Sequence, residues 1–160
     1  MMHTNDKAVA ALNDLIGRRV ALVYCGPAGG AVLDIHFGPT MRRKRPLTSP
    51  DLCADERELQ GERSLFVECS WRFRRDEILC GSGDSLNDSD RIYEPITSLV
   101  GATLCRISLV EGGGVLEPSL EFDDGSTLRV FPDTSFHPDD NLTVFVGDDS
   151  VPFYGPRSIG

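Results

Sequence analysis

Residues 64–73 read Ser64-Leu65-Phe66-Val67-Glu68-Cys69-Ser70-Trp71-Arg72-Phe73, and from Leu65 onward every second side chain is apolar. Leu65, Val67, Cys69, Trp71 and Phe73 fall on one side, with Glu68, Ser70, Arg72 and Arg74 on the other. Successive side chains alternate across a strand, so the pattern predicts one long strand with a dry face and a wet face. Trp71, the only tryptophan, lies on the dry face and is expected in the core. Two shorter runs share the period: Leu33, Ile35 and Phe37 alternate with Asp34 and His36, and Cys105, Ile107 and Leu109 alternate with Arg106 and Ser108. The fold class that follows is α+β, dominated by antiparallel β-sheet.

The stretch has an echo. Thr127-Leu128-Arg129-Val130 matches Ser64-Leu65-Phe66-Val67, Phe122 matches Phe37, Gly113-Gly114 matches Gly29-Gly30, Gly147 matches Gly81, and Leu99-Val100-Gly101 matches Leu15-Ile16-Gly17. Strands near 20–25, 32–37, 64–73 and 77–81 are followed in the same order by strands near 103–109, 117–122, 127–131 and 143–147. Self-similarity of this kind signals repeated units. The expectation is a single domain over 1–160, made of a first repeat at 4–90 and a second at 91–160. Each is a helix plus four strands, and the two pack with pseudo-twofold character around one shared core. A four-stranded sheet with one apolar face needs a cover, so each half alone is marginal.

Thr4 or Asn5 can cap a helix from Asp6 to Ile16 that ends at Gly17, with Ala8, Leu12 and Leu15 forming an apolar stripe beside Val9 and Ile16. Pro95 to Val100 is a shortened version ending at Gly101. Asp123-Asp124-Gly125-Ser126 is a hairpin turn, because Asp-Gly tolerates positive φ. The glycine clusters 26–30 and 112–114 read as hairpin turns as well; they lack the Lys-Ser/Thr of a phosphate loop. Where the second repeat turns in four residues, the first carries an insertion at 38–63. It contains Met41-Arg42-Arg43-Lys44-Arg45-Pro46, then a helix of about three turns started by Ser49-Pro50 and closed by Gly61.

Composition bounds the function classes. The 160 residues carry a net charge of −9, and the acid is uneven: residues 1–90 hold 12 basic and 14 acidic side chains, residues 91–160 hold 4 and 11. An acidic second half repels nucleic acid and steers a basic partner. The start Met1-Met2-His3 lacks an apolar segment and no apolar run is long enough to span a bilayer, so no membrane association and a cytoplasmic location are expected. Cys25, Cys53, Cys69, Cys80 and Cys105 are odd in number and show no metal-site spacing; they are expected to be small buried hydrophobes.

No constellation specifies a reaction. The pairs Asp123-Asp124, Asp139-Asp140 and Asp148-Asp149 lack the spacing of a calcium loop and suit turns. Ser135, His137 and Asp139 are too close in sequence for triad geometry, and Cys80-Gly81-Ser82-Gly83-Asp84 reads as a strand end and turn. No catalytic residue, metal ligand or cofactor is assigned. The candidate partner-binding residues are Asp123, Asp124, Asp139, Asp140, Asp148 and Asp149 in the acidic half, with Arg42, Arg43 and Arg45 in the insertion.

Leu65 to Phe73 followed by Gly81-Ser82-Gly83-Asp84, together with Leu99-Val100-Gly101 and Leu120-Glu121-Phe122-Asp123-Asp124-Gly125-Ser126-Thr127-Leu128, resembles uncharacterised bacterial domain families, some of them considered immunity proteins of polymorphic toxin systems. The resemblance implies a small sheet-rich protein without catalytic residues. The expected function is a non-enzymatic cytosolic binding protein of immunity type, whose acidic second half covers a basic toxin. The alternative is a small-ligand binder or enzyme with a pocket between the repeats, drawing on Cys80, Asp84 and His36. Unpaired sheet edges leave a homodimer open.

Overall fold

The chain forms strands wherever the alternation is strict, and ten lie among the described residues. The structure, a computed structural model, describes residues 4–25, 32–48, 54–82, 95–112, 115–132, 142–147 and 149–153. Helix α1 (Thr4–Asn13) leads into β1 (Val20–Cys25), β2 (Leu33–Arg42), α2 (Ala54–Glu58), β3 (Leu59–Val67), β4 (Ser70–Arg75) and β5 (Ile78–Gly81). After a helical turn at 95–97 come β6 (Leu104–Gly112), β7 (Val115–Phe122), β8 (Thr127–Phe131), β9 (Leu142–Val146) and β10 (Asp149–Phe153). Two five-stranded sheets result, ordered β1-β2-β3-β9-β10 and β5-β4-β8-β7-β6, with every pairing antiparallel. No described helix is long and apolar enough to cross a membrane.

The stretch 64–73 is not one strand. The chain leaves the first sheet after Val67 and enters the second at Ser70. Leu65, Val67, Cys69, Trp71 and Phe73 are nevertheless all buried, at 1% exposure or less. Alternation survives the crossing because β3 and β4 face one core from opposite walls, so periodicity cannot register the change of sheet. The core is a single cluster fed by both sheets: Leu33, Ile35, Phe37, Leu142, Val144 and Phe153 from the first meet Trp71, Phe73, Leu104, Leu120, Leu128 and Val130 from the second. Burying a side chain of this size stabilises by roughly 1.5–3 kcal/mol, which makes this cluster the main support of the fold.

Helix α1 contributes Ala8 and Leu12 to the core, and Leu15 follows in the turn after it. It packs against β9 and β10, while Ile16 is exposed. The helix ends earlier than the pattern predicts, at Asn13 rather than Ile16; turns then lead to Gly17 at φ 88°, whose amide donates to the Leu104 carbonyl at 2.7 Å. The capping side chains of Thr4 and Asn5 lie outside the described residues. A β-bridge between Arg19 and Thr103, flanked by backbone hydrogen bonds, joins the start of β1 to the approach to β6.

Other expectations change. Five described strands, not four, follow α1 and again the turn at 95–97, since 64–73 divides into β3 and β4 in the first half and β10 adds a hairpin after Gly147 in the second. Gly81 ends β5 whereas Gly147 turns between β9 and β10, so these two glycines do not occupy matching places. Cys25, Cys69 and Cys80 are buried as expected, but Cys105 is exposed: an irregularity of register between Leu104 and Arg106 turns it outward. Cys53 is outside the described residues, as are the cluster 26–30, Gly113-Gly114 and Ser49-Pro50. The hairpin is longer than expected and takes the C-terminal end of the three-turn helix predicted for the insertion. β2 runs on to Arg42 and β3 begins at Leu59, pairing Thr40 with Gly61, Met41 with Gln60 and Arg42 with Leu59, so among the described residues of the insertion only Ala54–Glu58 is helical.

Candidate functional site

The outer face of the first sheet is built from the polar half of each alternation. Pairing aligns His36, Ser64 and Phe145 across β2, β3 and β9, with Asp34, Phe66 and Thr143 in the next row. The insertion folds over this face. The Arg43 amide donates to the Glu58 carbonyl at 2.7 Å and the Leu47 amide to the Arg57 carbonyl at 2.9 Å, which holds 43–47 beside α2. Together they enclose a recess of about 370 Å³ lined by Asp34, His36, Arg43, Leu47, Gln60, Ser64, Phe66, Phe145 and Gly147. A neighbouring hollow of about 420 Å³ is lined by Arg43, Lys44, Arg45 and Gln60, so Arg43 and Gln60 line both.

His36 holds the floor. The alternation puts it on the wet face, yet it is 2% exposed because the insertion lies over it. The Gly61 amide can only donate, so His36 Nδ1 accepts that bond at 2.9 Å; the ring proton then sits on Nε2 and is donated to Asp34 Oδ2, also at 2.9 Å. The ring meets Tyr24 edge to face, centroids 5.6 Å apart. A side chain at 61 has no room: a Cβ there would stand 2.8 Å from the Phe37 carbonyl oxygen and 2.9 Å from His36 Cβ. Glycine is therefore required where the strand backbone closes on the imidazole.

Asp34, His36 and Ser64 bring the residue types of a catalytic triad to one face. The geometry is a different one. A serine nucleophile needs a ring nitrogen free to take its proton, and here the acceptor nitrogen is already filled by the Gly61 amide. The imidazole is a brace. Above it, burial first, and then the Asp34 charge, push the Glu56 carboxyl above its usual range, while Arg43 and His36 pull the other way. Arg43 donates from Nε to the Glu56 carbonyl oxygen at 3.2 Å and from Nη1 to Gln60 Oε1 at 3.5 Å. The recess thus offers a guanidinium, an amide, a hydroxyl and two aromatic rings: equipment for holding a molecule.

Of the expected partner-binding residues, Asp123 and Asp124 belong to the β7–β8 turn. Asp123 Oδ1 accepts the Thr103 amide at 2.9 Å, and Asp124 accepts the Ser126 amide at 2.9 Å and pairs with Arg75. Burial raises the Asp124 carboxyl, but the Ser126 hydrogen bonds and the Arg75 charge together outweigh it and leave it below its usual range. Asp149 is exposed on β10, and Arg42 and Arg45 are exposed at and beyond the end of β2. Asp139, Asp140 and Asp148 lie outside the described residues, as do His3, Asp84 and the Ser135, His137 and Asp139 trio.

Cys80 and His36 are not brought together; Cys80 is buried in β5 of the second sheet. A cleft of about 500 Å³ at the joint of the two halves is lined by Arg19, Val20, Ala21, Gly38, Pro39, Val100 and Gly101, and is mostly apolar. Among the described residues no three His, Cys, Asp or Glu side chains are grouped to hold a metal ion. The recess was missed from sequence because its walls come from β2, β3, the segment between them and β9, although the long insertion was its one signal. No protein-family model matches the chain, and no curated protein or solved structure matches it.

Proposed function

We propose that this chain is a non-enzymatic binding protein and that its site is the recess on the outer face of the first sheet. The observation that carries the reading is the use made of the insertion: it roofs a sheet face that has no need of cover and leaves room beneath. Both nitrogens of the buried histidine are spent on holding that face in shape. Recesses of a few hundred cubic ångströms with apolar walls and a few placed polar groups are where small molecules bind. The test is amide-detected NMR of the protein against a fragment library. Compounds are expected to move the Gly61, Ser64 and Phe145 signals together; a library that leaves all three still at millimolar concentration rejects the site.

A second reading keeps the immunity-type role in the cytoplasm, with a basic protein partner on the acidic second half. The charge asymmetry and the exposed Asp149 favour it. Asp123 and Asp124 favour it less, since their oxygens are engaged within the protein.

We also infer that the two halves are copies of one unit related by a pseudo-twofold. β1-β2-β3 build one sheet and β4-β5 the other, while β6-β7-β8 build the second and β9-β10 the first. The bonds at the joint come in matched pairs: Gly17 amide to Leu104 carbonyl with Gly101 amide to Val20 carbonyl, and Leu104 amide to Arg18 carbonyl with Val20 amide to Ala102 carbonyl. Each residue follows, or is followed by, its counterpart at the same interval. Register shifts recur at Val20/Leu22 and Leu104/Arg106, and positive φ recurs in the turns at Asp76 (52°) and Gly147 (63°).

A further inference from the structure

The geometry points to a ligand with an anionic group at one end and a flat apolar body: the anion seats against Arg43 and Arg45, and the body lies against Phe66 and Phe145. This rests on the recess being a binding site and goes further by naming what it takes. The two hollows share Arg43 and Gln60, so one molecule can occupy both. The described lining of the outer hollow is three cationic side chains and one amide. In a chain of net charge −9 that is a local reversal of sign. An anion approaching such a protein is repelled everywhere except where cations are gathered, so the same cluster that binds also selects.

Arg43 is prepared for the task. Its two hydrogen bonds go to neutral oxygens, the Glu56 carbonyl and the Gln60 amide, which fix the guanidinium plane without a bonded carboxylate competing for its charge. A guanidinium held this way offers paired donors to a carboxylate or a phosphate. The inner recess differs: Phe66 and Phe145 lie on adjacent strands one row apart and are half-buried. Rings placed there favour a planar apolar group, which gains area burial and edge or stacking contacts. Ser64 and the Asp34–His36 pair at the floor supply the polar end point. Asp34 also works against a second anion, so the ligand should carry its negative charge at the mouth only.

The experiment measures binding of phenyl phosphate, phenol and inorganic phosphate by amide-detected NMR titration, on the wild-type chain and on Arg43→Gln, Arg45→Ser and, as a control on the other sheet, Arg72→Gln. Phenyl phosphate is expected to move the Gly61, Ser64 and Phe145 amides and to bind at least about tenfold more tightly than phenol or phosphate. Arg43→Gln should weaken it about tenfold and Arg45→Ser a few-fold, with Arg72→Gln unchanged. Arg45 is exposed, so its replacement keeps the assay meaningful even if Arg43→Gln perturbs the insertion. Phenol binding as tightly as phenyl phosphate, or both substitutions leaving affinity unchanged, overturns the anionic ligand while the recess stands as a site. Phosphate binding as tightly as phenyl phosphate overturns the apolar body. If none of the three probes moves those amides but other fragments do, this inference alone falls; if nothing does, the site falls with it.

Discussion

On the first sheet the residue before Phe37 is His36, 2% exposed and hydrogen-bonded through both ring nitrogens; on the second the residue before Phe122 is Glu121, its side chain 45% exposed and 3.1 Å from Arg106. Phe37 pairs with Val20 and Phe122 with Leu104, so the two residues hold like places in the strand order. The second outer face is open: Arg72 stands directly opposite Arg129, and Arg129 reaches Glu117 at 3.5 Å and lies over the Phe131 ring. The inner faces are alike, with Leu65 and Leu128 both fully buried. The difference between the sheets comes from the connections. A four-residue turn follows β7, whereas the segment after β2 folds back over its own sheet. What a connection covers decides whether a wet face stays open or is roofed into a recess.

The inner likeness is the first thing to break. Leu65→Ala and Leu128→Ala should each cost about 3 kcal/mol in urea unfolding, because each leaves a cavity in one shared core. If either costs under about 1 kcal/mol, the walls of the core are not equivalent. The outer difference is tested next. His36→Ala should cost about 2 kcal/mol by stranding the Gly61 amide and Asp34 under the insertion, while Glu121→Ala should stay within about 0.5 kcal/mol, since exposed ion pairs contribute little. Equal effects would mean that the insertion does not bury the first face in solution.

The smallest effects have opposite signs with pH. Glu56 beside the recess has a raised pKa, so its stabilising contribution is present below the ordinary 4.5 and is lost as pH rises through the folded value. Glu56→Gln should therefore raise the melting temperature slightly at pH 7 and flatten its fall between pH 4 and 7. Asp124 in the open turn has a lowered pKa, so its contribution is present above the ordinary 3.8 and is lost as pH falls through the folded value. Asp124→Asn should lower the melting temperature at pH 7 and converge with wild type in acid. Thermal melts across pH 3–7 check both, and parallel curves for the two variants would remove the electrostatic part of the contrast.

Much of this was written in local pattern and some of it was not. The dry face of 64–73, the buried Trp71, the Asp-Gly turn and the stripe Ala8-Leu12-Leu15 are legible because each depends on neighbours a few residues away. The sheet change at Glu68-Cys69 is not, because strands facing one core from two sides keep a single rhythm. The burial of His36 is hidden for a related reason: alternation gives the side of a sheet, not what lies on it. The insertion misled because Ser49-Pro50 and Gly61 suggested a helix, whereas continued pairing of β2 with β3 drew the surrounding residues into strands. The acidic pairs read as turn chemistry, and Asp123-Asp124 is that.

The exchange of strands between the sheets also sets the order in which the chain can become a protein during synthesis. β1, β2 and β3 emerge first, yet the β9 strand that lies beside β3 and the β10 strand at the sheet's border come last. Until they arrive, Leu65 and Val67 face a half-built wall, and the nascent chain carries an unfinished sheet edge along β3. Completion of the first sheet therefore waits on contacts between residues far apart in the chain, which close slowly. The β9–β10 hairpin is what covers the β3 edge.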